Sequence, residues 1–166
     1  MTKKPIVLAL AGNPNSGKTT LFNQLTGSHQ HVGNYPGVTV EKKEGVCRFE
    51  DEEVRVVDLP GTYSLTAYSI EERVARQLIV EEKPDVVVDV VDASNLERNL
   101  YLAVQLVELG APVVLALNMS DVARTRGLEF DLKLLSSLLG MAIVPTVGHR
   151  NVGTRELLEA AIKTAR

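Results

Sequence analysis

The sequence predicts an α/β fold in which a mostly parallel six-stranded sheet, with one antiparallel edge strand, carries helices on both faces. Three observations support this prediction. Several strand-like runs are almost continuous in Val, Ile and Leu, as expected for parallel strands that are covered on both sides. These runs alternate with segments of helical periodicity. Two further strand patterns are separated only by the acidic residues 50–52, which indicates a β-hairpin.

Six segments are predicted to be strands, in the order 6–11, 39–49, 54–58, 86–92, 112–118 and 142–146. The first and the last three are short runs dominated by Ala, Val, Ile and Leu, which is typical of buried parallel strands. Residues 39–49 and 54–58 form the hairpin, so one edge strand is expected to be antiparallel.

Five segments between the strands are predicted to be helices, in the order 18–25, 71–80, 96–109, 131–139 and 154–165. Their apolar residues recur three or four positions apart, as Leu157, Leu158, Ala161 and Ile162 do in the last one. The 166 residues, of which 45% are hydrophobic, can bury one sizeable core, and no Pro-, Gly- or Ser-rich linker divides them. We therefore expect a single domain over residues 1–166.

Composition restricts the function classes. The net charge is −3 and the basic residues are dispersed, so no basic stripe is present and a nucleic-acid partner is not expected. Cys47 is the only cysteine, which rules out an internal disulfide and fits a reducing cytosol. No apolar run reaches about 18 residues, and we therefore expect the chain, as it stands, to be soluble.

A phosphate-binding loop follows the first strand. Residues 12–19 read GNPNSGKT, which matches GxxxxGK[ST] between a predicted strand and a predicted helix. The glycines let backbone N–H groups turn towards phosphate oxygens, and the positive end of the following helix points at the same charge. Lys18 is expected to reach the β- and γ-phosphates and Thr19 to bind Mg²⁺. The residues expected to contact the nucleotide here are Asn13, Asn15, Ser16, Gly17, Lys18, Thr19 and Thr20.

A second motif follows the strand at 54–58. Asp58 and Gly61 form the pattern Asp-x-x-Gly, in which the carboxylate holds Mg²⁺ through water and the glycine N–H can bond to the γ-phosphate. Between the two motifs, the turn-rich residues 33–39 lead into a strand. Thr39 is placed to complete the Mg²⁺ shell when the γ-phosphate is present, although taken alone it is also an ordinary strand residue.

The fifth predicted strand ends in a motif that selects the base. Asp121 can accept hydrogen bonds from N1–H and the exocyclic amine of guanine, whereas adenine has an acceptor at N1 and no amine at C2. Asn118 is expected to connect this loop to the phosphate loop, and Met119 to lie over the base. Gly148 and His149 are expected to provide a third base contact through backbone N–H groups. Helix N-capping is the alternative role for Asn118 and Asp121.

These segments, in this order, resemble the small G domains of the TRAFAC class of GTPases. Their detailed sequence resembles the N-terminal G domain of the FeoB family of prokaryotic ferrous iron transporters. The matching segments are residues 12–23 (GNPNSGKTTLFN), 32–41 (VGNYPGVTVE), 58–65 (DLPGTYSL) and 91–102 (VDASNLERNLYL). The last of them has no general role in nucleotide chemistry.

The resemblance implies that the domain binds GTP, GDP and Mg²⁺, hydrolyses GTP slowly, and controls Fe²⁺ uptake by an attached membrane transporter. It also implies that a helical regulatory segment and a transmembrane part belong to the same protein and are absent from this chain. The G domain would then be cytoplasmic, and the full-length protein would lie in the inner membrane. A homo-oligomer is left open.

The resemblance also bears on catalysis. Many small GTPases place Gln directly after Gly61 to orient the attacking water, whereas this chain has the shorter Thr62, so hydrolysis is expected to be slow. Related G domains hold K⁺ beside the phosphates, and the side-chain carbonyl of Asn15 could do so here. A role in the turn is equally compatible with Asn15. The residues expected to act in hydrolysis are Asn15, Lys18, Thr39, Gly61 and Thr62.

Three positions depart from the family pattern. Tyr35 stands where Trp is common, and the usual Ser near Gly148 is missing. Asp89 stands where Asn is common and places a carboxyl group inside the strand at 86–92. A buried unpaired charge would be costly there, so we expect Asp89 to be paired, solvated or protonated.

Two other functions fit parts of the sequence. A translation- or tRNA-linked GTPase would share these motifs but would need a basic appended domain. A phosphate-loop kinase would need an acceptor pocket and a lid in place of Asn118 and Asp121.

Overall fold

The computed structural model describes residues 3–166, which form one seven-stranded sheet with helices on both faces. The strands are β1 (Ile6–Gly12), β2 (Gln30–Asn34), β3 (Glu41–Phe49), β4 (Glu52–Asp58), β5 (Val86–Asp92), β6 (Val113–Asn118) and β7 (Ala142–Pro145). Their order across the sheet is β2-β3-β4-β1-β5-β6-β7. Five of them pair in parallel, whereas β3 is antiparallel to both β2 and β4. The predicted α/β fold with an antiparallel edge is therefore confirmed.

The sheet has one strand more than the predicted six, and β2 is the addition. Its residues are all exposed and polar apart from Val32 and Gly33, so they show no hydrophobic pattern. The strand is formed by antiparallel backbone pairing, with Gln30 opposite Gly45 and Asn34 opposite Glu41. A strand held only by its backbone leaves little signal in the sequence.

The helices are α1 (Lys18–Thr26), α2 (Ile70–Gln77), α3 (Leu96–Glu108), α4 (Ser120–Thr125), α5 (Leu132–Leu139) and α6 (Thr154–Ala165). The predicted helix 71–80 is divided into α2 and a π-helical turn, Leu78–Glu82. Ser69 caps α2 by accepting a hydrogen bond from the Glu72 N–H at 3.0 Å. The short helix α4 was not predicted, because six residues are too few to show a periodic face.

Two hydrophobic layers cover the two faces of the sheet. One layer packs side chains of α2 and α3, including Val74 and Leu106, against the sheet. The other packs α1 and α6 against the opposite face through residues such as Phe22 and Leu157. These layers hold the sheet between the helices. Because five strands are parallel, their carboxyl ends meet at one edge, where ligands bind in such folds.

Asp89 lies at the centre of β5, where it is paired in register with Ala11 and Leu115. The residue is fully buried, and neither carboxyl oxygen has a hydrogen-bond partner. Burial raises the pKa of Asp89 to about 7. The carboxyl group is therefore expected to be largely protonated below pH 7.

Within residues 3–166, no helix is both long enough and apolar enough to cross a membrane.

Candidate functional site

The phosphate-binding loop turns tightly between β1 and α1. Gly17 has a φ of 92°, and a Cβ atom there would collide with the side-chain amide of Asn118. At Gly12, a Cβ atom would lie 2.6 Å from the carbonyl oxygen of Val90. Both glycines are therefore required by close approach, and Gly17 also by its left-handed conformation.

A pocket of about 420 Å³ opens above this loop. It is lined by Asn13, Pro14, Asn15, Gly17, Lys18, Thr19, Thr20 and Gly61. The structure thus brings the loop residues and Gly61 together, although they are far apart in the sequence.

Two predicted catalytic residues do not line this pocket. Thr39 is exposed and precedes β3, which begins at Glu41 and not at the predicted residue 39. Thr62 is buried, and its backbone N–H donates to the carbonyl oxygen of Gly12 at 3.1 Å. Gly61 is thereby held against the phosphate loop, while the Thr62 side chain is turned into the protein.

Lys18 and Asp58 form a buried ion pair at the base of the pocket. The Lys18 Nζ lies 2.5 Å from the Asp58 Oδ1, and both side chains are about nine-tenths covered. Burial raises the pKa of the Asp58 carboxyl group, and the ammonium of Lys18 opposes part of that rise. The pair supplies one cation suited to phosphate oxygens and one carboxylate suited to a divalent metal ion.

These residues fit Mg²⁺ by the chemistry of their donors. The Asp58 carboxylate and the Thr19 hydroxyl are oxygen ligands of the type that Mg²⁺ prefers, and both belong to the same end of the site. For a monovalent cation, the pocket offers the side-chain carbonyl of Asn15, which is exposed at a φ of 67°.

Asn118 connects the second end of the site to the phosphate loop. Its Nδ2 donates to the carbonyl oxygen of Ser16 at 2.9 Å. Its Oδ1 accepts from the Thr146 hydroxyl at 2.9 Å and from the Gly148 N–H at 3.0 Å. Three loops are thus joined by one buried amide. The Gly148 N–H therefore bonds to Asn118 in this structure, and the base contact expected of Gly148 and His149 stays a prediction.

Asp121 presents an unsatisfied acceptor at the same end. Its Oδ1 is buried and has no hydrogen-bond partner, while its Oδ2 lies 3.8 Å from the Nε2 of the exposed His149. Met119, in the left-handed conformation, lies beside Gly17 and carries its side chain over the phosphate loop. A buried carboxylate oxygen without a hydrogen bond is energetically unfavourable, and a ligand that donates an N–H group would satisfy it. Guanine has such N–H groups.

One functional residue was missed by sequence reasoning. Thr146 is 1% exposed and holds Asn118 through its hydroxyl, while its carbonyl oxygen accepts from the Ser120 N–H at 3.2 Å. It directly follows β7 at the carboxyl edge of the sheet. That position was the available signal, since polar residues at this edge face the ligand site.

Comparison with known proteins gives consistent results. The family model described as Ferrous iron transport protein B matches residues 6–161. A fusion protein of Fe(2+) transport protein A and Fe(2+) transporter FeoB from Porphyromonas gingivalis is 55% identical over 158 residues. That match covers 95% of this chain and 19% of the relative, so the chain spans about a fifth of the relative's length.

Solved structures of the family have the same fold. The cytosolic domain of the T. maritima FeoB iron transporter in a GDP form matches with a TM-score of 0.95 and 42% identity, covering 98% of this chain and 64% of that one. The FeoB G-domain from Methanococcus jannaschii matches with a TM-score of 0.88 and 48% identity, covering 98% of this chain and 99% of that one. The chain therefore belongs to the ferrous iron transport protein B family, and its fold is that of the family's N-terminal G domain.

Proposed function

We propose that this domain binds GTP and GDP with Mg²⁺, hydrolyses GTP slowly, and acts as a switch for ferrous iron uptake. The observation that carries the proposal is that one site has groups suited to phosphate and a metal ion at one end and an unsatisfied acceptor at the other. The Lys18–Asp58 pair lies under a phosphate-sized loop, and the unpartnered Asp121 oxygen faces the base end. The GDP form of the related T. maritima domain supports the choice of nucleotide.

Binding follows from the residues on each side of the site. Backbone N–H groups of the loop and the positive end of α1 attract the phosphates, and Lys18 neutralises their charge. Asp121 accepts the guanine N–H groups, and Asn118 keeps its loop at a fixed distance from the phosphate loop. Thr19, Asp58 and, after the loop at 33–39 closes, Thr39 would hold Mg²⁺. A metal ion held by these residues would neutralise part of the negative charge of the phosphates.

Hydrolysis requires water to attack the γ-phosphorus as its bond to the bridging oxygen breaks, which yields GDP and phosphate. We infer that the Gly61 N–H donates to the γ-phosphate, since Gly61 lines the pocket. The next residue, Thr62, is buried and therefore does not orient the water. The rate is therefore low, and a K⁺ ion beside Asn15 would supply part of the missing positive charge.

The switch role extends beyond this chain. Because the chain spans about a fifth of its relative, we propose that residues 1–166 are one G domain of a larger membrane protein, on its cytoplasmic side. Movement of the loops that contain Thr39 and Gly61, on loss of the γ-phosphate, would be passed to a helical regulatory segment and a transport domain. The family favours this over a role in translation.

The proposal is tested with the full-length protein in cells that depend on it for growth on ferrous iron. Asp58→Ala should abolish iron-dependent growth, and the purified variant should lose Mg²⁺-dependent GTP turnover. Asp51→Ala, at an exposed turn, is the matched control. Normal growth and normal turnover with Asp58→Ala would contradict the proposal.

A further inference from the structure

Helix α3 contacts the chain that follows Gly61 at two places. The Arg98 guanidinium lies over the ring of Tyr63, with its carbon 4.9 Å from the ring centre. The Oε1 of Gln105 accepts a hydrogen bond from the Leu65 N–H at 2.6 Å. Arg98 and Gln105 are two helical turns apart, so they project from the same side of α3. The nucleotide chemistry above gives neither residue a role.

The beginning of α3 is fixed by polar residues of the segment 91–102. The Oδ1 of Asp92 accepts from the Ser94 N–H at 2.9 Å and from the Ser94 hydroxyl at 2.6 Å. The buried side chain of Asn99 accepts from the Asp92 N–H at 3.2 Å and donates to the Asn95 carbonyl oxygen at 2.8 Å. These bonds hold the first turn of α3 against the end of β5. They therefore set the direction in which Arg98 projects.

The other end of the contacted segment is held by the phosphate loop. Gly61 lines the phosphate pocket, where a Cβ atom on it would come within 3.4 Å of the Pro14 Cα. The Thr62 N–H donates to the Gly12 carbonyl oxygen. Tyr63 comes next in the chain. Because one residue extends the backbone by only about 3.5 Å, the placement of Tyr63 on α3 constrains where the Gly61 N–H can point.

A small polar pocket of about 160 Å³ lies between α3 and the back of the phosphate loop. Its walls include Asn13 and Asn15 from the loop, Tyr63, and Asp92 and Arg98 from the region of α3. Asn13 is 4% exposed, and neither of its side-chain amide atoms has a hydrogen-bond partner. The Arg98–Tyr63 contact therefore forms part of the wall directly behind the nucleotide site.

We propose that Arg98 is a positioning residue for hydrolysis, which acts by holding Tyr63 so that the Gly61 N–H stays aimed at the phosphate pocket. Gln105 is the second anchor, at Leu65. This inference rests on the proposed GTP hydrolysis, and it assigns a role to the segment 91–102. Loss of the Arg98 contact should lower turnover at saturating GTP. It should leave GDP affinity unchanged, because GDP has no γ-phosphate for Gly61 to contact.

A fluorescent reporter tests the contact itself. The chain contains no Trp, so Tyr63→Trp introduces a single reporter, and an indole keeps the attraction to the guanidinium. In that background, Arg98→Ala should raise the acrylamide quenching constant by a factor of about two. Arg155→Ala is the matched control, because Arg155 lies 5.0 Å from the Phe49 ring in an equivalent contact elsewhere. It should change nothing.

Kinetics then test the positioning role in the otherwise unaltered domain. Arg98→Ala should lower kcat for GTP by a factor of about two to five. This factor corresponds to the interaction free energy of an exposed cation–π pair. Arg98→Lys should recover part of the rate, and the Kd for GDP should stay the same in all variants. An unchanged kcat with Arg98→Ala, or an equal loss with Arg155→Ala, would overturn the inference.

The two proposals fail in different ways. If the unaltered domain shows no GTP turnover, the proposed hydrolysis is wrong and the positioning role falls with it, whatever the reporter shows. If turnover is present and Arg98→Ala changes neither quenching nor kcat, only the role of Arg98 is wrong.

Discussion

The side-chain amide of Asn118 donates a hydrogen bond to the backbone carbonyl oxygen of Ser16, across 102 residues of sequence. The same side chain accepts from Thr146 and Gly148. A single buried residue thus fixes the distance between the loop that would bind phosphate and the loop that would bind the base.

Asn118→Ala should therefore weaken nucleotide binding and destabilise the domain. The substitution removes three hydrogen bonds and leaves buried donors without acceptors, which should lower the free energy of unfolding by about 2–4 kcal/mol. Affinity for GDP should fall by about tenfold or more. Urea unfolding and calorimetric titration measure the two effects. Asn23→Ala, which loses only an exposed bond to Gln30, is the control and should be nearly neutral. Unaltered GDP affinity would show that Asn118 does not position the base loop.

Asp121→Asn should change base preference from guanine to xanthine nucleotides. The amide presents a donor to the C2 oxygen of xanthine, whereas the carboxylate accepts from the C2 amine of guanine. Competition between GDP and XDP for the purified domain measures the preference. Asp131→Asn, which changes an exposed helix cap on α5, should keep the preference for guanine. If Asp121→Asn also keeps it, Asp121 does not contact the base.

Because Asp89 is buried and unpaired, the free energy of unfolding should depend on pH in an unusual way. Its folded-state pKa is about 7, above the ordinary value of 3.8, so the folded state binds more protons than the unfolded state between these values. The contribution of Asp89 to the free energy of unfolding should be greatest at and below about pH 4. It should decrease by up to about 4 kcal/mol as the pH rises to 7. Urea unfolding at several pH values measures this decrease.

Asp89→Asn removes the titrating group and should abolish that part of the slope. Glu108→Gln, an exposed change on α3, should retain it. The same slope in Asp89→Asn and the parent domain would mean that Asp89 is already ionised in the folded protein.

Asn15→Ala should reduce K⁺ stimulation of GTP turnover more than it reduces GTP affinity. The reason is that Asn15 lines the phosphate pocket and could offer its carbonyl to K⁺, whereas the affinity depends on several other groups of the loop. Turnover in KCl and in NaCl, at equal ionic strength, measures the effect. Equal rates in the two salts for the unaltered domain would exclude the cation site.

The sequence predicts the structure correctly where the signal is local and strong. The near-continuous apolar run of β5 and the glycines of the phosphate loop predicted a buried strand and a tight turn, because side-chain burial and left-handed backbone each restrict residue type. It failed at β2, which is fully exposed and depends on backbone pairing with β3. Nor does the sequence predict the bond from the Gly148 N–H to Asn118, whereas the base contact expected of Gly148 and His149 stays a prediction. Contacts that depend on how two loops are placed relative to each other cannot be predicted from the sequence of one segment alone.

The central claim is that one site binds guanosine phosphates and Mg²⁺. The most direct measurement is a calorimetric titration of the purified domain with GDP and ADP, each with Mg²⁺ and with EDTA. We predict that GDP binds at least about a hundredfold more tightly than ADP, because Asp121 would face the acceptor N1 of adenine. In a separate assay of phosphate release, we predict that GTP turnover is lost in EDTA. Equal or tighter binding of ADP, or full turnover without Mg²⁺, would contradict the account.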